Sequence, residues 1–309
     1  MTVPGRRRRD RGVALVTAML ISALAALVAS DMAWDNALEV RRTTVLLQRD
    51  QAVQVALGAE SWARLILSQD ANDTPTDHLG EIWAQELPPL PIDGGGEVFG
   101  SLEDLEGRFN INNLIDRRGR VHRESLERFQ RLLTVLELEP RLAGAIVDWL
   151  DPNQEPHLPD GAEDAIYTSV LPPYRTADQM VTSVSELLAV QGMDRETFRV
   201  LEPHITALPP GTSINANTAT PAVLRSLSDT LTESDVAALV EERAEAGFAD
   251  VRSTFAPLLP PGATLPVDSS RYFRLRVVVR LGTVRVTLYS VLQRDQGQVT
   301  PLLRSFGTA

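Results

Sequence analysis

The 309-residue sequence contains no cysteine and no lysine, so all 30 of its basic residues are arginine. The absence of cysteine excludes disulfide bonds and thiol chemistry. Only four histidines are present, and none belongs to a His-Glu-x-x-His pattern. The sequence also lacks a Gly-x-Ser-x-Gly elbow and a phosphate-binding glycine loop. The sequence thus lacks the usual motifs of metalloproteases, serine hydrolases and nucleotide-binding enzymes. It predicts a protein that is not an enzyme.

Charge is distributed unevenly near the N-terminus. Five arginines lie between Arg6 and Arg11, whereas the 18 residues from Val13 to Ser30 carry no charge. As a helix this segment is ~27 Å long, which is nearly the ~30 Å of a bilayer's hydrocarbon core. The arginines predict a cytoplasmic N-terminus, so the bulk of the chain would lie in the periplasm. Gly12 precedes the apolar segment, as in a prepilin whose leader, residues 1–12, is removed by a prepilin peptidase between Gly12 and Val13. An ordinary signal anchor is the alternative.

Helical spacing of apolar residues continues beyond the membrane segment, and no proline occurs from Trp34 to Leu67. Steps of three, four and seven residues predict one stripe along a helix. Charged residues between its members, such as Arg41 and Asp50, exclude this half from the membrane. The pattern predicts a single helix over 13–68 whose outer half packs on a soluble domain. The stripe consists of Trp34, Leu38, Val45, Ala52, Val55, Ala59, Trp62 and Ile66.

Two β-rich regions flank a long helical one. Residues 69–113 contain extended segments after a Pro- and Gly-rich connector, and residues 266–309 contain an antiparallel hairpin that alternates valine or leucine with arginine. Between them, residues 114–265 predict helices almost throughout. The sequence therefore predicts an α+β protein in which a large all-α domain is inserted into an antiparallel sheet.

The helical region contains two helix-turn-helix stretches that resemble helix-hairpin-helix modules. The second begins at Ile214-Asn-Ala-Asn-Thr-Ala219, and Thr218 or Thr220 is a candidate N-cap. A membrane-anchored nucleic-acid receptor built on such modules is therefore one alternative function, and a periplasmic hydrolase is another. The hairpin from Ser228 to Glu233 is acidic and has no glycine. Without residues 1–12 the chain has 25 basic and 40 acidic residues, a net charge of −15, which predicts no nucleic-acid partner.

Taken in order, several segments resemble the K-type minor pseudopilins of type II secretion systems, the general secretion pathway protein K family. They are Arg11-Gly-Val-Ala-Leu-Val16, Asp104-Leu-Glu-Gly-Arg-Phe-Asn-Ile-Asn-Asn-Leu114, Asp148-Trp-Leu-Asp-Pro152, Gly161-Ala-Glu-Asp164, Ser183-Val-Ser-Glu-Leu-Leu188 and the Asn-Ala-Asn-Thr segment above. The resemblance implies a pilin-like fold, a long N-terminal helix on an antiparallel sheet, with the inserted helical domain. It also implies an inner-membrane protein that helps to form the tip of the periplasmic pseudopilus with I- and J-type minor pseudopilins during export of folded proteins.

Thr17 occupies the fifth position of the predicted mature chain, where most pseudopilins carry a glutamate that neutralises a neighbour's terminal amine. The departure, which K-type members share, implies that no subunit lies beyond this one. A tolerated substitution is the alternative. Below the tip, Trp34, Leu38 and Val45 are predicted to contact neighbouring subunits. Val13 replaces the family's usual first phenylalanine, which leaves N-methylation of the new terminus open.

An acidic loop follows Trp149. Its carboxylates and prolines suit calcium, which binds six to eight hard oxygen ligands, although the spacing is not that of an EF-hand. The predicted ligands are Asp151, Asp160, Glu163 and Asp164 of a structural calcium ion. A solvated acidic loop is the alternative. Zinc is not predicted, because no cysteine or second histidine lies at ligand spacing from His122 or His157.

Overall fold

The computed structural model describes residues 7–86 and 88–307, with side chains from residue 13 onwards. Its first element is a continuous helix, α1 (Arg7–Asp73), of 67 residues. This helix is long and apolar enough to cross a membrane: its most apolar 18-residue window has a mean hydropathy of 2.4 and none of it is buried. The single helix predicted over 13–68 thus lies within α1, which continues to Asp73.

The outer half of α1 packs on a five-stranded antiparallel sheet in the order β1-β2-β5-β6-β7. These strands are β1 (Leu90–Ile92), β2 (Gly96–Asp104), β5 (Tyr272–Leu281), β6 (Val284–Asp295) and β7 (Gln298–Phe306). The predicted hairpin is β5–β6, in which Val279 lies opposite Val286 and Leu281 opposite Val284. β1 lies within the Pro- and Gly-rich connector, where no strand was predicted.

Small side chains form the buried face of α1. Ala52, Ala56 and Leu67 are completely buried against the sheet, and Ala63 is 5% exposed. Alanines allow the helix axis to approach the strands closely, where valines and leucines of β5 and β6 complete the core. Glu60 lies on this same face, and its carboxylate accepts hydrogen bonds from Arg304 of β7 at 2.7–3.0 Å. A carboxylate inside this interface is stable because the arginine neutralises it.

The insert lies between β2 and β5, which pair directly from Glu97↔Arg280 to Asp104↔Phe273. Its seven described helices are α2 (Arg123–Val135), α3 (Leu142–Leu150), α4 (Asp164–Tyr167), α5 (Arg195–Leu201), α6 (Pro221–Arg225), α7 (Glu233–Glu242) and α8 (Val251–Phe255). The two-residue strands β3 (Phe109–Asn110) and β4 (Ile205–Thr206) pair in parallel at its base, a small departure from the all-α prediction.

A core separate from that of the sheet holds the insert together. In α2, Leu126, Phe129 and Leu133 recur at helical spacing and are buried. All nine residues of α3 are buried, so this helix lies at the centre of the insert. The chain therefore folds as the pilin-like helix and sheet with a large helical insert that the sequence predicts.

A buried polar network joins the insert to the sheet. Asp104, the last residue of β2, accepts hydrogen bonds from Ser270 and from Asn215, at 2.7 and 3.1 Å, and also from Thr218. Arg294 of β6 donates to Asp77 and is 3.0 Å from Asp70 at the end of α1. Burial raises the pKa of Asp104 to about 6. We call this junction of β2, β6, the end of α1 and the insert the joint. Because its network connects all four, it fixes the insert relative to the sheet.

Candidate functional site

The first candidate site is the surface of α1 that the sheet does not cover. Trp34, Leu38 and Val45 are 67%, 36% and 44% exposed. Large apolar side chains exposed along one surface mark sites of protein or membrane contact. These three predicted assembly residues are therefore available to a neighbouring helix.

Thr17 lies in the apolar part of the same helix. Its hydroxyl donates to the carbonyl oxygens of Val13 and Ala14, each at 3.0 Å. The side chain thus satisfies its polar group within its own helix, and it offers no negative charge to a neighbour's amine. Of the predicted processing site, Val13 is exposed. Gly12 lies within α1. Residues 1–6 of the leader lie outside the described part of the chain.

An apolar groove of about 430 Å³ continues the exposed surface where α1 passes over β1 and β2. Trp62 and Ile66 of α1 form one wall, and Trp83, Leu90 and Val98 line the other. Trp62 belongs to the predicted stripe but is 46% exposed, since it lies at the rim and not under the helix. In the outer half of the predicted stripe, Ala52 is buried and Val55, Ala59 and Ile66 are partly buried against the sheet core, as predicted. The other members of the stripe are exposed.

The second candidate site is a group of carboxylates in the insert. Asp148 lies on α3, Asp151 caps its C-terminus, Glu163 precedes α4, Asp164 begins α4, and Asp178 follows in a loop. Glu163 is only 3% exposed, and neither of its carboxylate oxygens has a hydrogen-bond partner among the described residues. One oxygen of Asp178 is buried without a partner in the same way. Such buried, unpartnered carboxylates are costly unless a cation or proton neutralises them.

The neighbouring carboxylates each use one oxygen for a protein contact. Asp151 Oδ1 accepts from the amide of Asn153 at 3.0 Å, and Asp164 Oδ1 accepts from the amide of Thr176 at 3.0 Å. Asp178 Oδ2 accepts from Gln154 at 2.9 Å. These contacts fix the orientation of the carboxylates. Among the described residues, the second oxygens of Asp151 and Asp178 accept no hydrogen bond, and that of Asp164 is 3.6 Å from the guanidinium of Arg175.

Electrostatics show that these groups converge. Burial, together with the negative charges of Asp148, Asp151 and Asp178, raises the pKa of Glu163 to about 7. Burial likewise raises the pKa of Asp148 and of Asp151. Several hard oxygen ligands that repel one another around a buried, unpartnered carboxylate fit a calcium ion.

Of the predicted ligands, the structure brings Asp151, Glu163 and Asp164 together and leaves Asp160 apart. Asp160 is exposed, and its backbone, rather than its carboxylate, lies against Gly144. Sequence reasoning missed Asp148 and Asp178. Asp148 belongs to the Asp148-Trp-Leu-Asp-Pro152 segment and could have been included, whereas nothing in the local sequence links Asp178 to the loop.

A different acidic group, Asp70, Asp77 and Glu81, has ligand atoms that all lie within 4.8 Å of one another, a property that the described carboxylates around Glu163 do not share. Arg294 already binds two of these carboxylates, and Glu81 accepts a hydrogen bond from the indole of Trp83 at 2.6 Å. The group therefore has its own counter-charge and belongs to the joint.

The helix-hairpin-helix-like segment serves the interior of this protein. Asn215 donates to Asp104 and Ser270, and Asn217 Oδ1 accepts from the amide of Phe248 at 2.7 Å. Thr220 caps α6 as predicted, through a bond from the amide of Val223. Because these polar side chains bond to the joint and the core, they are not available to a phosphate.

Comparisons with known proteins agree with this architecture. Family models described as "Type II secretion system (T2SS), protein K" match residues 107–210 and 214–266. The chain is 34% identical to type II secretion system protein K of Pseudomonas aeruginosa, over 97% of this chain and 94% of that protein. It is 33% identical to the Klebsiella pneumoniae protein K, over 97% of both chains.

A solved structure is also similar. It is the GspK-GspI-GspJ complex of the enterotoxigenic Escherichia coli type 2 secretion system, matched with a TM-score of 0.75 and 25% sequence identity. The match covers 87% of this chain and 100% of that one. The chain belongs to the type II secretion system protein K family, the minor pseudopilins of that secretion machinery.

Proposed function

We propose that this chain is the tip subunit of the periplasmic pseudopilus, with a structural and not a catalytic role. The observation that carries the proposal is the combination of a polymerising helix with a large cap. α1 has the exposed apolar surface of a filament subunit, but Thr17 bonds its own helix where a body subunit needs a carboxylate. The insert between β2 and β5 adds bulk at the far end of the helix. A subunit with these features can bind neighbours below it and has no group to bind one above.

The partners would be the I- and J-type minor pseudopilins. The E. coli relative was solved as a complex with GspI and GspJ. In this chain, Trp34, Leu38 and Val45 offer exposed apolar surface on α1, and the groove beside Trp62 adds apolar surface where α1 passes over β1 and β2. Burial of such side chains contributes ~1.5–3 kcal/mol each, so a few of them suffice for a stable interface.

The same role requires anchoring and processing. The apolar segment from Val13 to Ser30 would span the inner membrane once, with residues 1–12 in the cytoplasm until a prepilin peptidase cleaves after Gly12. The absence of charge from this segment and its exposure on all sides of the helix support this arrangement.

A structural calcium ion would stabilise the insert. Asp151, Glu163, Asp164 and Asp178 would hold it, with Asp148 adding negative charge nearby. The ion would supply the positive charge that the unpartnered oxygens of Glu163 and Asp178 lack. It would thereby fix the loops that connect α3, α4 and the segment beyond.

The proposal is tested with the full chain and the I- and J-type subunits in a mild detergent. Size-exclusion chromatography at micromolar concentration should give a complex that contains all three. Trp62→Ser should weaken it, whereas Leu171→Ser should not, because Leu171 is 95% exposed but lies in the insert. A failure of the unaltered chain to form any complex would refute the role, and equal weakening by both substitutions would place the interface elsewhere.

A further inference from the structure

The outer face of the sheet, opposite α1, is basic although the chain is acidic. The full chain has a net charge of −11. Yet Arg274, Arg276 and Arg280 of β5 and Arg285 of β6 project from this one face, since they alternate with the core residues. Among the described residues, Glu97 and Glu103 of β2 lie beside them on this face, and Asp295 lies on it at the far end of β6.

Two of these arginines already have partners. Arg274 is 2.6 Å from Glu103, and Arg280 is 2.8 Å from Glu97, with its guanidinium 5.1 Å above the ring of Phe99. Arg276 and Arg285 are exposed and form no ion pair with any residue in 13–86 or 88–307. The two glutamates on this face are therefore used, and two positive charges remain.

The pairing of the strands makes this arrangement unfavourable for the isolated protein. Arg280 lies directly opposite Arg285 across β5 and β6. Like charges at directly opposed positions destabilise a sheet. Because Glu97 already offsets the charge of Arg280, Arg285 keeps a positive charge that a negative group from a partner would neutralise.

The composition of this region suits a protein partner. Half-buried Phe99 and Tyr289 lie among the arginines, and Tyr289 is opposite Arg276. Arginine, tyrosine and phenylalanine are the residues enriched in protein interfaces. Only the end of this face near Tyr272 is covered, where Leu208 of the insert packs on it.

We propose that the arginine face, defined as Phe99, Arg276, Arg280, Arg285 and Tyr289, binds an extended acidic segment of a partner protein. Arg276 and Arg280 are four residues apart on one strand, which is ~13 Å. Glutamates or aspartates four residues apart in an extended segment have the same separation. One carboxylate would bind Arg285, which lies opposite Arg280, and the other would bind Arg276. This surface goes beyond the tip role and lies on the opposite side of the sheet from α1.

An anionic membrane fits the geometry less well. The turn at Gly282, between the two arginine-bearing strands, packs against Gln48 of α1. With the membrane segment ending at Ser30, Gln48 is about 27 Å farther along the helix axis. Charges at that distance are screened, because the Debye length is ~8 Å at physiological ionic strength.

The test uses the full chain in neutral detergent micelles and a fluorescent peptide of alternating glutamate and threonine. Fluorescence anisotropy should show binding at 50 mM salt, and a peptide with glutamine in place of glutamate should not bind. Arg276→Gln together with Arg285→Gln should weaken binding by about tenfold, the effect of losing two exposed charge contacts. Arg118→Gln with Arg195→Gln, which removes the same charge from exposed positions in the insert, should leave it unchanged.

Both variant pairs alter exposed side chains that form no ion pair among the described residues, so neither protein should melt below the unaltered chain. The pair that contains Arg285→Gln should melt slightly higher, because it removes the like-charge contact with Arg280. The inference is overturned if the unaltered chain does not bind the peptide, or if the two pairs weaken binding equally. It is also overturned if vesicles of phosphatidylglycerol bind in a way that depends on Arg276 and Arg285 while the peptide does not, because the surface would then recognise lipid.

Discussion

Replacing Glu163 with glutamine is expected to affect stability in opposite directions with and without calcium. In a chelator the carboxylate is buried among other negative charges and has no hydrogen-bond partner. Its pKa of about 7 lies well above the usual 4.5, so holding it ionised at pH 7.5 costs up to ~3 kcal/mol. Glutamine removes that charge at nearly the same size. The chelated Glu163→Gln protein should therefore be more stable than the chelated unaltered chain.

In calcium the order reverses. An ion that binds only the folded protein with a dissociation constant of ~10 µM stabilises it by ~2.7 kcal/mol at 1 mM. In a chain of this size that corresponds to a rise of roughly 5–10 °C in the melting temperature. Glu163→Gln loses a charged ligand and should lose most of this rise.

Differential scanning calorimetry of the full chain in excess chelator and in 1 mM calcium measures both effects. Asp160→Asn is the matched control, because Asp160 lies in the same loop but is exposed, whereas Glu163 is buried. It should keep the full response to calcium. The reasoning is refuted if the unaltered chain melts at one temperature in both conditions, or if Asp160→Asn and Glu163→Gln lose the response equally.

Four other outcomes are expected. Burial raises the pKa of Glu106 to about 7, so the folded state holds a proton that the unfolded state loses. The free energy of unfolding should therefore fall as the pH rises from 5 to 7.5. An equally steep fall in Glu106→Gln would contradict this reasoning. Asn215→Ala should lower the free energy of unfolding, measured by chemical denaturation, by ~2–3 kcal/mol, because it leaves Asp104 without one of its hydrogen-bond donors. A decrease below ~1 kcal/mol would mean that the joint relaxes. N-terminal sequencing of the membrane form should begin at Val13, and a bulky residue at position 12 should leave residue 1 in place; a start after Ser30 would indicate a signal peptide. With the I- and J-type subunits at micromolar concentration, Trp62→Ser should raise the dissociation constant by about tenfold, and an unchanged constant would exclude the groove.

The fold could be predicted from the sequence because its main elements have strong periodic signals. An uncharged run followed by apolar residues at helical spacing predicts α1, and alternating valine and arginine predicts β5. The face of α1 that packs on the sheet was predicted in part: Ala52, Val55, Ala59 and Ile66 of the stripe contact the sheet core, whereas Trp62 lies at the rim. Ala56 and Ala63, which are also buried there, were missed because small residues contribute little to a pattern judged by hydrophobicity. Glu60 interrupts that face, and its partner Arg304 is 244 residues away in the sequence.

The acidic site shows the same limit. A dense local run of carboxylates identified Asp151, Glu163 and Asp164. Asp160 belongs to the same run, but the turn of the loop leaves it exposed. Asp178 is brought to the cluster only by the fold of the insert, and it has a positive φ of 49°. A dense run of carboxylates in the sequence identifies candidate residues within one loop, whereas the tertiary structure decides which of them face inwards.

The position of this subunit in the filament tests the central proposal most directly. Sheared pseudopili, labelled with gold through an antibody to the insert and viewed by electron microscopy, should carry the label at one end only. The lack of a carboxylate at Thr17 and the bulk of the insert both predict this result. Label at regular intervals along the filament would contradict the account, because a body subunit needs a partner above it as well as below.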